Sequence, residues 1–276
     1  MSASVLHARI SQIAKDAKFS AVAVAVHDYE TQREIEHEVD RQFHAASTIK
    51  AAVLLAIYKL AEDGRIRLDD TLHVRNRFRS AADGEVFRVA SSRDGDAEVH
   101  RRIGRSMRVR ELARAMIVRS SNLATNVLLD FTGIEPIQRV LNDAKIDGVT
   151  LRRSVEDEAA FEKGINNEVT ANGVARLFRL LCEGKFLRDE FREQALDVLR
   201  AQEFNSMIPA GLPESAKVAH KTGEISTVCH DAGIVFLPDR KPYVIAILTE
   251  MPASVEMRQA PVAEISRAIF EYLTNE

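Results

Sequence analysis

The sequence predicts an α+β fold, a five-stranded antiparallel sheet flanked by terminal helices and interrupted by a mainly helical insertion lobe. Three observations predict it. Strand patterns bracket the chain, two near its start and three near its end. The stretch from Ser47 to about Ala210 has helical periodicity and little strand character. Connections between the last three strands, including Pro238-Asp239-Arg240-Lys241-Pro242, are too short for parallel crossovers. Residues 1–46 and 211–276 are therefore expected to form a sheet lobe and 47–210 a helical lobe, with the active site at their interface.

Taken in order, Met1 to Lys18 carries helical periodicity through Val5, Ile10 and Ile13. Ser20 to Asp28, with its Ala-Val-Ala-Val-Ala-Val core, reads as a buried strand; the turn Tyr29-Glu30-Thr31-Gln32 leads into an alternating strand from Arg33 to Val39. From Ala51 a run of good helix formers, apolar nearly all round, closes at Gly64, a residue suited to a left-handed cap. Phe78 to Arg105 is polar and rich in Gly, Asp and Ser, which predicts irregular loop. Helical patterns resume at Val109 to Val118, Leu123 to Phe131, Glu135 to Ala144, Ala171 to Glu183 and Arg188 to Ala201. Strands follow at Lys217 to Gly223, Val228 to Leu237 and Tyr243 to Glu250, with a closing helix from about Val255 to Tyr272.

Composition narrows the function. With 38 basic and 41 acidic residues the net charge is −3, which gives no general attraction to nucleic acid or an anionic membrane and leaves open only a local arginine-rich patch from Arg75 to Arg110, itself interspersed with acids. The longest apolar runs are strand-length, which argues against a membrane span. Cys182 and Cys229 form no ligand cluster and are expected as buried free thiols; no metal site and no cofactor are expected. The N-terminal stretch lacks an apolar signal core, which places the chain in the cytoplasm as written, or in the periplasm or outside the cell if an export signal has been removed. The expected partner is a small-molecule substrate, and a monomer is expected.

Three motifs carry chemistry. Ser47-Thr48-Ile49-Lys50 places a hydroxyl and an amine three residues apart at a helix start, on one face. A serine hydroxyl is a weak nucleophile until a base takes its proton, and a lysine serves once burial lowers its pKa. Ser120-Ser121-Asn122 lies between two helical patterns, with Asn126 one turn later; Ser120 can relay a proton and Asn122 can hydrogen-bond an amide. His220-Lys221-Thr222-Gly223 ends a predicted strand, where the glycine admits close approach to the backbone and Lys221 with Thr222 makes a carboxylate-binding edge.

In this order, Ser-x-x-Lys, Ser-x-Asn and Lys-Thr-Gly resemble the motif set of the penicillin-recognising serine hydrolases, and the tail through His230-Asp231-Ala232-Gly233 looks most like their class A β-lactamase branch. The resemblance spans nearly the whole chain. It implies Ser47 as the acylated nucleophile, Lys50 as the group that deprotonates it, and Ser120 as the relay to the leaving nitrogen. It further implies Asn122 on the substrate's side-chain amide, Lys221 and Thr222 on its carboxylate, and an oxyanion hole from the N–H groups of Ser47 and of Glu224, the residue after Gly223. The substrate class is then a β-lactam, or an ester or amide bearing a carboxylate.

Two departures stand out. Ser121 replaces the aspartate of the second motif, removing a carboxylate that braces the loop. The family's Arg-x-Glu-x-x-Leu-Asn loop, whose glutamate activates the deacylating water, is missing; Leu151 to Ala159 stands in its place, offering Glu156, Asp157 and Glu158 as bases. Weak deacylation is the consequence, with an esterase, a D,D-peptidase-like hydrolase or a non-turnover β-lactam sensor as alternatives. A Ser-His-Asp triad fits poorly: no Gly-x-Ser-x-Gly elbow is present, and His44, His220 and His230 only flank the motifs.

Overall fold

A computed structural model describes residues 2–274. Its main elements run α1 (Ala3–Asp16), β1 (Ala21–Asp28), β2 (Glu34–His37), α2 (Ile49–Glu62), α3 (Val109–Val118), α4 (Asn122–Thr132) and α5 (Ile134–Asp143). They continue with α6 (Ala171–Glu183), α7 (Asp189–Arg200), β3 (Lys217–Ile225), β4 (Val228–Phe236), β5 (Tyr243–Glu250) and α8 (Gln259–Thr274). The chain divides into two compact units.

The first unit comprises the described residues up to Thr48, Val169–Glu183, and those from Phe204 on. Its five strands pair antiparallel in the order β3-β4-β5-β1-β2, with Val24 opposite Ile247 and Gly223 opposite His230. Period-2 alternation sorts β1: Val22, Val24 and Val26 join Leu6, Ile10, Ile245, Ile265 and Ile269 in one core under α1 and α8. Each such aliphatic side chain, fully buried, contributes about 1.5–3 kcal/mol. Ala21, Ala23 and Ala25 face the other way, and their small side chains leave room for α6, which packs on β1, β4 and β5. The helix Ala171–Glu183, expected within the helical lobe, thus belongs with the sheet. Its apolar stripe, including Val174, Leu177, Phe178 and Leu181, covers the alanine-lined face.

The second unit comprises Ile49–Glu168 and Gly184–Glu203. Eleven of the fourteen residues of α2 are buried, which makes it the unit's central helix, with α3, α5 and α7 around it. Gly64, at φ +70°, ends the helical run, and Gly133, at φ +78°, both closes α4 and opens α5.

Differences from the sequence expectations are local. The closing helix starts at Gln259, beyond Pro252. The region from Phe78 to Arg105 is more ordered than its composition predicts. It holds a two-strand hairpin, Phe78–Arg79 with Val86–Phe87, and a short helix, Ala97–Arg101. Side chains order it: the Asn76 amide brackets Val89, donating to its carbonyl and accepting from its N–H, both at 2.8 Å. Cys229 is buried, but Cys182 is only half-buried. Among the described residues no helix is long and apolar enough to cross a membrane.

Candidate active site

In the second unit, Lys50 lies in the first turn of α2 and is fully buried. Its ammonium donates to Ser120 O at 2.7 Å, Ser120 Oγ at 3.2 Å and Asn122 Oδ1 at 2.6 Å. Burial pulls its pKa down to about 7, against the opposing charges of Asp94 and Glu156. Such an amine exchanges its proton near neutrality.

Ser120 and Asn122 are presented by the turn between α3 and α4. Ser121 N donates to Ala115 O at 3.1 Å, and the Ser121 hydroxyl caps α4 by accepting from Ala124 N at 3.1 Å. The turn forces Ser120 to φ +57°, the left-handed region that side chains avoid, at a cost of about 1–2 kcal/mol. Buried hydrogen bonds around the turn hold that strain.

The three acidic residues of the 151–159 segment separate cleanly. Glu156, at φ +61°, turns inward: Oε1 accepts from Asn122 Nδ2 at 3.2 Å and Oε2 meets Arg93 Nε at 2.8 Å. Burial raises its pKa, while Arg93 and Lys50 pull the other way. A cavity of about 340 Å³ opens beside it, lined by Phe87, Arg93, Asp157 and Glu158 among others. Asp157 is buried and accepts from Ser80 Oγ at 2.7 Å, Ala81 N at 2.8 Å and Ala160 N at 3.2 Å, so it fastens the loop. Glu158 is turned to solvent and pairs with Arg93. Two asparagines set the loop's path. Asn126 donates to Val155 O and accepts from Val155 N, both at 2.9 Å, and Asn167 Oδ1 accepts from Arg152 N and Arg153 N at 2.8 and 3.1 Å.

In the first unit, Ser47 sits in a 3₁₀ turn, Ala46–Thr48, whose entry is fixed by Ala46 at φ +45° with its N–H donating to His44 Nδ1 at 3.1 Å. Gly223 on β3 presses against this turn. A Cβ there would lie 2.8 Å from Thr48 N and 3.0 Å from Ser47 N, so any side chain would push strand and turn apart. The next residue, Glu224, turns its carboxylate aside to Gln259 Nε2 at 2.7 Å and Arg258 Nε at 3.3 Å. Lys221 is fully buried, with Nζ donating to Thr222 O at 2.8 Å, and Thr222 is buried beside it.

The histidines beside the motifs are occupied within the fold. His230 accepts from Thr249 N at 3.1 Å and donates to His44 O at 3.0 Å, and burial lowers its pKa to about 4. His220 lies 2.9 Å from Asp231 and 3.1 Å from Asn205, which takes up both ring nitrogens. No triad base remains among them.

Lys50, Ser120, Asn122 and Glu156 therefore converge in one unit, and Ser47, Lys221, Thr222, Gly223 and Glu224 lie on a turn and the strand against it in the other. Asp157 and Glu158 fall outside these groups. Sequence reasoning missed Arg93 and Asp94, both in the stretch assigned to loop; the one available signal was the serine at position 121, which leaves a brace to be supplied from elsewhere.

The model of the Beta-lactamase enzyme family matches residues 5–273. Beta-lactamase ROB-1 of Haemophilus influenzae is 25% identical over 260 residues, covering 91% of this chain and 79% of that one. Beta-lactamase L2 of Stenotrophomonas maltophilia is 27% identical over 250 residues, covering 88% and 78%. Among solved structures, PBP-A superposes with a TM-score of 0.85 at 24% identity, covering 99% of this chain and 97% of that one, a likeness of fold. A variant of the last common ancestor of Gram-negative class A beta-lactamases gives 0.85 at 25%, covering 98% of each.

Proposed function

The chain belongs to the β-lactamase enzyme family, and from that premise we propose that it opens the amide bond of β-lactams through an acyl-enzyme on Ser47, with deacylation the slower step. The observation that carries this reading is Lys50: a fully buried amine with a pKa lowered to about 7, three residues from Ser47 along one continuous helical stretch, and hydrogen-bonded to Ser120.

In acylation, neutral Lys50 takes the proton of Ser47 Oγ, which attacks the lactam carbonyl carbon. The carbonyl oxygen takes up the electron pair and is held by the N–H groups of Ser47 and Glu224; the tight seat of Gly223 on the Ser47 turn supports this pairing. As the C–N bond breaks, the ring nitrogen takes a proton from Ser120 Oγ, which Lys50 replaces, leaving Lys50 neutral again. Lys221 and Thr222 bind the substrate carboxylate, and Asn122 its side-chain amide.

For deacylation, Glu156 removes a proton from water, whose oxygen attacks the Ser47 ester; the proton then passes to Ser47 Oγ as it leaves. Of the three carboxylates it is Glu156, partly desolvated, that lies next to Asn122, whereas buried Asp157 is taken up by the loop's own donors. Its ion pair with Arg93 competes for the lone pairs that must accept the water's proton, which supports slow turnover. Intact-mass spectrometry with a chromogenic cephalosporin tests the reading. A covalent adduct on Ser47 that forms faster than it decays, and is absent from Ser47→Ala, is expected; unchanged labelling and turnover in Ser47→Ala would sink it.

A further inference from the structure

The second motif lacks its carboxylate, yet the structure supplies one at the same turn from a different part of the chain. The side chain of Asp94 is completely buried and receives five donors. Oδ1 accepts from Asn122 N at 3.2 Å and Asp96 N at 3.0 Å; Oδ2 accepts from Leu123 N at 2.8 Å, Ser121 Oγ at 3.3 Å and His100 Nε2 at 3.0 Å. Three of these come from the motif turn and the first residues of α4, where free N–H groups and the helix dipole favour an anion.

The approach is built in. Gly95 lies so close to the carbonyl of Arg119 that a Cβ would collide with it. Asp96 caps the short helix Ala97–Arg101 by accepting from Glu98 N at 2.9 Å, and that helix presents His100 to Asp94. Because both oxygens face only donors, an amide of the same shape would set an NH₂ group against N–H groups.

We propose that Asp94, anchored by His100, is the positioning residue that holds Ser120 and Asn122 around Lys50, doing from a distant segment what Ser121 cannot. It does so through the turn. Asn122 is gripped by Asp94 at its backbone, while its side chain meets Lys50, Glu156 and Arg93 O. The Asp94 carboxylate is also, with Glu156, one of the two charges that favour the protonated form of Lys50. Lys50 also hydrogen-bonds the neutral Ser120 and Asn122.

This inference rests on the acylation chemistry proposed above, and its test separates the two. Acylation of Ser47 by a penicillin is followed by rapid-quench mass spectrometry across pH for the parent, Asp94→Asn, and Asp94→Asn with Ser121→Asp, with thermal melts alongside. In Asp94→Asn the acylation constant should fall on the order of tenfold to a hundredfold. The limb on which acylation rises with pH should move to lower pH, because one charge stabilising the Lys50 ammonium is gone; the double variant should recover part of both. A purely structural role would lower the melting temperature and leave the limb in place. A folded Asp94→Asn with parental rate and limb would overturn the inference, whereas a parent that never labels at Ser47 would overturn the proposed function instead. Should Asp94→Asn not fold, His100→Gln retains the carboxylate and loosens its anchor. A severalfold slower acylation is then expected, and a parental rate counts against the assignment.

Discussion

Asn122 joins Lys50 and Glu156: Nδ2 donates to Glu156 at 3.2 Å, and Oδ1 of the same amide accepts from Lys50 at 2.6 Å. One neutral side chain thus fixes a base on each of its ends.

For Glu156 the expected outcome is kinetic. Glu156→Gln should leave adduct formation near the parental rate and make the Ser47 acyl-enzyme persist, which intact mass against time will show. In the parent, deacylation should increase with pH through a midpoint above the ordinary carboxylate range, because burial raises the Glu156 pKa and only the ionised form accepts the water's proton. Decay of the adduct at the parental rate in Glu156→Gln would move the role elsewhere, with Lys50 next in line.

Its two acidic neighbours should behave differently. Asp157→Asn sets an amide against three donors, two of them buried, and should cost about 1–3 kcal/mol of stability, read from a denaturant titration. Glu158→Gln alters a solvent-exposed pair with Arg93 and should leave stability and turnover close to parental. The reverse pattern would contradict the loop geometry.

The Lys50 amine should impose its own pH dependence on acylation. With a pKa near 7, its neutral form grows as pH rises through neutrality, so the acylation constant should climb there and level off in alkali. Lys50→Ala should suppress acylation. A flat profile through neutrality would exclude Lys50 as the base.

Lys221→Ala should raise KM for carboxylate-bearing β-lactams more than for neutral esters. A charge-assisted hydrogen bond is worth roughly 1.5–3 kcal/mol, so kcat/KM should drop about tenfold to a hundredfold. Equal losses on both substrates would point to lost packing of this fully buried side chain in place of lost carboxylate contact.

Gly223→Ala tests the seat of the nucleophile. The added methyl must meet the backbone N of Thr48 and Ser47, neither of which is a flexible side-chain end, so β3 or the turn has to shift. Acylation should fall far more than the melting temperature does, since a displacement well under 1 Å misaligns an oxyanion donor. Parental acylation would mean the turn can yield freely.

The sequence by itself determined the α+β class, the five strands and most helices within a few residues, because their signal is local: a period of 2 or 3.6 between side chains that must face a core. It also singled out Ser47, Lys50, Ser120, Asn122 and the Lys221 to Gly223 strand end as candidates, since each motif pairs a reactive group with the short spacing its chemistry needs. Only the tertiary structure decided which carboxylate turns inward. Glu156, Asp157 and Glu158 are consecutive and equally acidic, and their different fates come from Asn126, Asn167, Ser80 and Arg93, partners that lie outside the loop. The same holds for Asp94. Its segment carries no periodicity, and a side chain that caps a helix 28 residues further on leaves no local mark, because the hydrogen bonds that select it join it to the turn at Ser121 only in the folded chain.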